Sequence, residues 1–103
     1  MIDATGKYIF PGGIDGQVHA GSAEGIEGLE DATIAAAAGG VTTIVDMPFD
    51  DPYPVNTVDL MQAKIEVINS KATVDVALYA TARKGAGTEG IVELADAGAC
   101  AYK

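Results

Sequence analysis

The sequence predicts an α/β fold: four parallel strands and three helices, arranged as the parallel (β/α) half of a TIM-like barrel. Apolar, β-branched segments alternate with segments of helical periodicity, in the order strand, helix, strand, helix, strand, helix, strand. Such alternation is typical of parallel strands joined by right-handed crossovers. The chain also reaches Lys103 inside its last strand segment, whereas a complete barrel takes roughly 250 residues. A small open α/β sheet is the alternative architecture.

The first strand, helix and second strand follow from residue type. Residues 14–19 form a strand candidate that is entered through residues 11–13, Pro-Gly-Gly. Leu29–Ala38 is rich in alanine, which favours helix, and the two glycines at 39 and 40 are expected to end it. Residues 41–45 are all β-branched and therefore predict a buried strand.

Three prolines within residues 48–54 predict a loop before the second helix. Asn56 or Thr57 can cap that helix, since both side chains accept hydrogen bonds from backbone amides of the first turn. Apolar residues then recur at helical spacing on one face. They are Leu60, Met61, Ile65 and Ile68.

Residues 74–79 predict the third strand. Thr88 can cap a third helix, which Gly98 is expected to end. The apolar residues of this helix are Ile91, Leu94 and Ala95. Residues 99–102 begin the fourth strand, so that Lys103 stands at the carboxyl end of a strand, where a barrel places its chemistry.

The charge of the chain excludes two classes of partner. Six Lys and Arg residues stand against fifteen Asp and Glu residues, for a net charge of −9. Nucleic acids and anionic membrane surfaces bind clustered cations, so neither is expected. No apolar run approaches the roughly 18 residues of a spanning helix, and the N-terminus lacks the apolar segment of a signal peptide. Cys100 is the single cysteine, which indicates a reducing, cytoplasmic location.

One strand face gathers polar side chains. Asp15, Gln17 and His19 alternate along the first strand and share a face, so an acid, an amide and an imidazole could form a polar site. The plainer alternative is a strand-end histidine bonded to a backbone carbonyl. His19 is the only histidine, and one imidazole cannot make a zinc site, which takes three or four protein ligands.

Other candidates have plainer interpretations. Asp46 follows the second strand and is expected to be a turn or cap residue. Asp50 and Asp51 could bind a cation, but acids beside prolines are more often solvated. Residues 85–87 lack the glycine spacing of a phosphate-binding loop. A nucleophilic Cys100 would need a histidine partner, so packing is the expected role.

Several segments resemble the cyclic amidohydrolases, the group that contains dihydropyrimidinase, hydantoinase, allantoinase and dihydroorotase. Residues 10–19 resemble the first barrel strand of that family, and residues 2–7 resemble the strand that leads into the barrel. Residues 35–48 are similar to its first helix and second strand, and residues 98–103 to its fourth strand. Residues 46–48, Asp-Met-Pro, look most like the allantoinase and hydantoinase branch.

The resemblance implies a zinc-dependent hydrolase that opens a cyclic amide ring of the hydantoin, allantoin or dihydropyrimidine type. In the family, a His-x-His pair holds one of two zinc ions, and a carboxylated lysine bridges both. His19 matches the second histidine and Lys103 the bridging lysine, whereas Gln17 stands where the first histidine belongs. An amide oxygen is a poor zinc ligand beside imidazole, so this departure implies a weakened metal position.

The resemblance also sets the expected extent of the domain. Residues 1–103 would be a single partial domain, with a lead-in strand and loop over 1–12 and the first half of an amidohydrolase barrel over 13–103. The family's later histidines and its catalytic aspartate belong to strands beyond Lys103. We therefore expect no catalytic residue within this chain, no activity of the chain alone and no stoichiometric zinc.

Self-association is expected, because a half barrel leaves open strand edges and an inner strand face without an opposite wall. That face would carry residues such as Ile44, Val74, Val76 and Leu78, or their neighbours. A homo-oligomer is therefore predicted. Two alternatives to the enzyme remain: a non-enzymatic, amidohydrolase-like scaffold that has lost metal ligands, and a small α/β binding domain.

Overall fold

The computed structural model describes residues 1–21, 27–49, 54–85 and 87–103. Within these residues the strands form one sheet in the order β1-β2-β3-β4, and every neighbouring pair is parallel. The helices connect them, which confirms the predicted α/β half barrel. The elements in chain order are β1 (Gly13–Val18), α1 (Leu29–Ala38), β2 (Val41–Asp46), α2 (Val58–Lys71), β3 (Asp75–Ala80), α3 (Ile91–Asp96) and β4 (Ala101–Tyr102).

The two faces of the sheet differ in what covers them. On β3, Val76 packs against the cluster of Ala20, Leu29 and Ala32 on the α1 side, and Leu78 lies in one cluster with Met61 of α2 and Leu94 of α3. The register pairs Ile44 of β2 with Val76, so Ile44, only 1% exposed, lies on the same helix-facing side. The opposite, inner face therefore belongs to their strand neighbours, which are all half-buried. These are Thr43, Val45, Ala77, Tyr79 and Ala101.

Two small hydrophobic clusters hold the helices on the sheet. The larger one joins the loop after β2, α2, β3 and α3 through Val55, Met61, Leu78, Ala80 and Leu94. The smaller one joins the end of β1 to α1 through Ala20, Leu29 and Ala32. Ile68 of α2 packs against both clusters, so α2 links the two halves of the core.

The helix boundaries agree with the sequence except at α3. Thr57 caps α2, because its hydroxyl accepts a hydrogen bond from the Leu60 amide at 3.3 Å. Leu60 itself is 45% exposed, so the buried face of α2 is narrower than predicted. The predicted cap Thr88 is wrong: Gly90 is the N-cap of α3, with a φ of 80° and no side-chain hydrogen bond. Only glycine adopts that left-handed backbone without strain.

The ends of the chain carry less strand than expected. Residues 1–12 contain a turn at Thr5 and Gly6 and no strand, and none of the strands in the described residues pairs with them. Large apolar side chains of this segment stay exposed, among them Tyr8 and Phe10. β4 is two residues long, although the Lys103 amide still donates to the Ala80 carbonyl at 2.8 Å.

None of the helices in the described part of the chain is both long and apolar enough to cross a membrane.

Gly12 leads into β1 at a point where the backbone passes directly against Thr42 of β2. A Cβ atom at position 12 would lie 2.1 Å from the Thr42 Cγ2 atom and 2.7 Å from its Cβ atom. The second distance involves an atom fixed to the strand backbone, which rotation of the side chain cannot move. The close approach of the lead-in to β2 therefore requires glycine at position 12.

Replacing Gly12 by alanine should lower the free energy of unfolding by about 1–3 kcal/mol, the usual cost of forcing an extra carbon into a packed contact. Gly16→Ala is the matched control, because a Cβ at position 16 meets nothing within 4 Å. Urea unfolding followed by circular dichroism measures both. Equal midpoints for the two variants would contradict this account of the contact.

Candidate functional site

The carboxyl ends of the four parallel strands lie at one edge of the sheet. At this edge, His19 and Lys103 both contact Phe49. The His19 ring stacks on the Phe49 ring, with centroids 4.2 Å apart and planes inclined by 10°. The Lys103 Nζ atom lies 5.1 Å from the Phe49 centroid, within the range of a cation–π contact. Residues separated by more than 80 positions in sequence thus share one neighbour, at the edge predicted for the site.

The hydrogen bond of His19 defines which of its ring nitrogens carries a proton. Its Nδ1 atom lies 2.5 Å from the carbonyl oxygen of Met47. A carbonyl oxygen can only accept, so Nδ1 is the donor and, in the neutral ring, Nε2 keeps its lone pair. The plainer sequence interpretation, a histidine bonded to a backbone carbonyl, is therefore correct at Nδ1. Nε2 is therefore the ring nitrogen whose lone pair can bind a ligand.

Lys103 contacts the same short loop as His19. Its ammonium group donates to the carbonyl of Pro48 at 3.4 Å, in addition to the contact with the Phe49 ring. Residues 47–49 therefore connect the end of β1 to the end of β4. The sequence predicted a loop here but gave no sign that its aromatic residue would join the two candidate site residues.

Gln17 and Asp15 are only partly brought into the site. Val18 packs on the helix side, and the ladder with β2 shifts register between Asp15 and Val18, which interrupts the alternation that would place all three polar side chains on one face. Gln17 is exposed. The Asp15 carboxylate accepts a hydrogen bond from the Gln17 backbone amide at 3.1 Å, which is a local contact within β1. The prediction that Asp15, Gln17 and His19 form one polar site is therefore wrong, and His19 is the member with described contacts to the loop at residues 47–49.

The donors among the described residues do not make up a zinc site. Zinc takes three or four protein ligands, mainly thiolate, imidazole and carboxylate. Across residues 1–21, 27–49, 54–85 and 87–103, no three His, Cys, Asp or Glu side chains are grouped so that they could hold a metal ion. His19 supplies one imidazole, Gln17 one exposed amide and Lys103 one amine, which is fewer than the usual zinc ligand set.

Asp46 has a different role from the predicted turn or cap. Its side chain is completely buried, and its Oδ1 atom accepts a hydrogen bond from the Ala20 amide at 2.9 Å. Its Oδ2 atom lies 2.9 Å from the Lys64 Nζ atom. That contact lacks the geometry of a hydrogen bond, so it is an ion pair. The ammonium group directs a hydrogen bond to the Ala20 carbonyl, also at 2.9 Å.

Lys64 was not identified as a buried charge from the sequence, although its spacing in α2 indicates one. It lies three residues after Met61 and four before Ile68, so it falls on the buried face of α2. A cation at that spacing requires a buried anion, because an unpaired charge in a low-dielectric interior is strongly unfavourable. Asp46, at the end of a buried strand, was the available partner.

Of the remaining candidates, Asp50, Asp51 and Ala86 lie outside the described residues. Gly85 and Gly87 have positive φ angles, as in a turn. Cys100 is exposed, so the packing role predicted for it is wrong; its backbone amide donates to the Leu78 carbonyl at 3.0 Å just before β4 begins.

Comparison with known proteins matches nearly the whole chain to one family. Residues 6–103 match the sequence profile of the family described as Dihydro-orotase-like. An allantoinase of Bacillus velezensis is 37% identical over 105 residues, which cover 100% of this chain and 23% of that protein. A dihydroorotase of Listeria monocytogenes is 40% identical over 106 residues, covering 98% of this chain and 25% of the relative.

A dihydroorotase of Listeria welshimeri is 41% identical over 108 residues, again with 98% of this chain and 25% of the relative covered. The chain thus spans about a quarter of the length of the curated relatives it matches. Relatives with two different names are similar to it at nearly the same level, so overall identity does not separate the two.

Replacing Lys64 by methionine should lower the free energy of unfolding by about 3–5 kcal/mol, because the Asp46 carboxylate then stays buried without its cation. Lys71→Met, in the exposed last turn of the same helix, removes the same charge and should cost at most about 1 kcal/mol. The double variant Asp46→Asn, Lys64→Met should recover much of the loss. Chemical unfolding measures all three, and equal losses for Lys64→Met and Lys71→Met would contradict the buried pair.

Proposed function

This chain belongs to the Dihydro-orotase-like family of cyclic amidohydrolases, and from that membership we propose that it is the N-terminal part of an enzyme that hydrolyses a cyclic amide ring. The contact of His19 and Lys103 with one residue, Phe49, at the carboxyl edge of the sheet is the observation that carries the proposal. In this proposal, residues 1–12 lead into the barrel and residues 13–103 form its first half.

The proposed substrate is a small ring of the hydantoin, allantoin or dihydropyrimidine type. Hydrolysis adds the oxygen of water to the ring carbonyl carbon, breaks the carbon–nitrogen bond and leaves a carboxylate, while the ring nitrogen takes up a proton. The similarity to an allantoinase and to dihydroorotases supports cyclic amides as the class. The chain contributes a histidine with an available Nε2 atom and a cationic lysine at the site edge.

The same proposal assigns the metal side of the site to His19, Lys103 and Gln17, with zinc as the family's metal. Because these three donors are too few for a zinc site, further ligands would have to complete it. Gln17 supplies a neutral amide where the family has an imidazole, and it weakens this part of the ligand set. No catalytic residue is assigned within the chain.

A non-enzymatic scaffold is the second candidate function, and the exposed Gln17 favours it. A barrel that has lost a ligand can keep its fold and its interfaces while losing its chemistry. The two candidates differ in one respect that can be tested. In an enzyme, replacing Gln17 by histidine should raise the rate of ring hydrolysis. In a scaffold, the same replacement should leave the protein without hydrolytic activity.

The chain alone should not turn over hydantoin, allantoin or a dihydropyrimidine, whereas a chimera should respond to position 17. In the chimera, residues 1–103 replace the matching segment of the Bacillus velezensis allantoinase. Gln17→His should raise its activity at least about tenfold, since even the loss of a group that only orients a metal ligand costs 10–100-fold. Turnover is measured as ring opening.

His19→Ala in the same chimera is the control and should abolish the gain. Turnover by the isolated chain above the level of its Gln17→Ala, His19→Ala variant would contradict the proposed division of the site. A folded Gln17→His chimera without activity would instead favour the scaffold.

Purified chain should retain far less than one zinc per molecule after dialysis, because one imidazole and one amide are too few donors for tight binding. Lys103 should then be an ordinary amine, without the mass of an added CO₂. Elemental analysis and intact-mass spectrometry measure the two quantities. About one tightly held zinc per chain would overturn this assignment.

The proposal includes a homo-oligomer in the cytoplasm. The inner face, with Val45 and Tyr79, and the outer edges of β1 and β4 are the surfaces that self-association would cover. Burial of a few hundred Å² of apolar surface contributes several kcal/mol at about 25 cal/mol per Å². The lone Cys100 supports a reducing compartment, and the net charge of −9 supports neither nucleic acid nor membrane as partner.

The chain should sediment as a dimer or larger species at micromolar concentration. Val45→Glu places a charge on the inner face and should shift the population towards monomer, because a buried carboxylate without a partner is unfavourable. Val67→Glu is the matched control on the exposed side of α2 and should sediment as the unchanged chain does. An unchanged chain that is monomeric and unfolds cooperatively would contradict the prediction.

A further inference from the structure

The backbone on both sides of His19 is held by contacts with the end of β2. Before it, the Val18 carbonyl accepts a hydrogen bond from the Met47 amide at 2.8 Å. After it, the Ala20 amide donates to the Asp46 carboxylate at 2.9 Å. Because β1 ends at Val18, His19 itself lies beyond the last residue of the strand.

Lys64 completes the attachment from the helix side. Its ammonium group donates to the Ala20 carbonyl at 2.9 Å and lies 2.9 Å from the Asp46 carboxylate. Ala20 and Asp46 are fully buried, and the Lys64 side chain is only 17% exposed. Water therefore competes little for these groups, and both backbone polar atoms of the residue after His19 are fixed by one ion pair.

We propose that Asp46 and Lys64 are positioning residues for His19. By holding the amide and the carbonyl of Ala20, they fix the backbone direction that lets His19 Nδ1 reach the Met47 carbonyl. The pair thereby selects the Nδ1–H tautomer and leaves the Nε2 lone pair for a ligand. The binding of a ligand by the Nε2 lone pair rests on the proposed function, whereas the positioning of His19 is a property of this chain.

A purely structural pair and a positioning pair differ in what their loss does to the ring. A structural pair contributes to stability alone, and its removal lowers the unfolding midpoint without changing the state of His19 in the folded chain. A positioning pair holds the ring at its acceptor, so its removal releases Nδ1 from Met47. The ring then exchanges between both tautomers, as an imidazole does in water.

The imidazole signals of His19 test this directly, since the chain has one histidine. Nitrogen-15 NMR of the full chain at about pH 8 gives the tautomer ratio without metal or substrate. The unchanged chain and the control Lys71→Met should show mainly the Nδ1–H form. Asp46→Ala and Lys64→Met should show a mixture of both forms.

Where either single variant fails to fold, the double variant Asp46→Asn, Lys64→Met replaces it, because it leaves no buried charge unpaired. It lacks the ammonium donor to Ala20 and should also show a mixture. Folded variants with an unchanged tautomer ratio would overturn the positioning role. If the tautomer ratio is unchanged but the chimera is active, the positioning role is wrong and the proposed function stands. If the ratio shifts but the chimera is inactive, the positioning role stands without the proposed function.

Discussion

A buried carboxylate at the end of β2 joins parts of the molecule that the sheet ladder does not reach. The ladder between β1 and β2 has register shifts and ends at Val18, so the segment after β1 needs another attachment. Asp46 supplies it through the Ala20 amide, and Lys64 extends it to α2. Because α2 also packs on both hydrophobic clusters through Ile68, this ion pair couples the placement of the strand ends to the core. The position of His19 depends on that coupling.

The elements that could be predicted from the sequence are those with a strong local signal. The alanine-rich α1 begins and ends where predicted, and the β-branched run forms β2 with one further residue, Asp46. Thr88 failed as a cap because Gly90, with its left-handed backbone, begins α3 two residues later. The lead-in segment failed as a strand for a different reason. Strand formation needs a neighbour, and residue type in one segment does not reveal whether a neighbour is present.

The candidate site, too, has features that the sequence predicted and features that it did not. Parallel topology alone places His19 and Lys103 at one edge of the sheet, and the sequence predicted this. It did not predict that Phe49 would contact both, because contacts within a loop depend on the path of the backbone rather than on periodicity. The partnership of Asp46 with Lys64 was accessible in principle, since Lys64 interrupts the apolar face of α2. Matching it to one of fifteen acidic residues required the fold.

The stacking of Phe49 on His19 affects how strongly a ligand can bind to the face of the imidazole ring. A ligand that uses the face of the imidazole competes with the aromatic ring, so binding draws only on the fraction of molecules in which the ring has moved away. The apparent dissociation constant is the intrinsic constant divided by that fraction. With the ring displaced one time in a hundred, for example, affinity would fall by about a hundredfold. For a ligand of that kind, occupancy of the edge depends on the rotamer equilibrium of Phe49, whereas a ligand of Nε2 approaches in the plane of the ring and does not meet the stacked face.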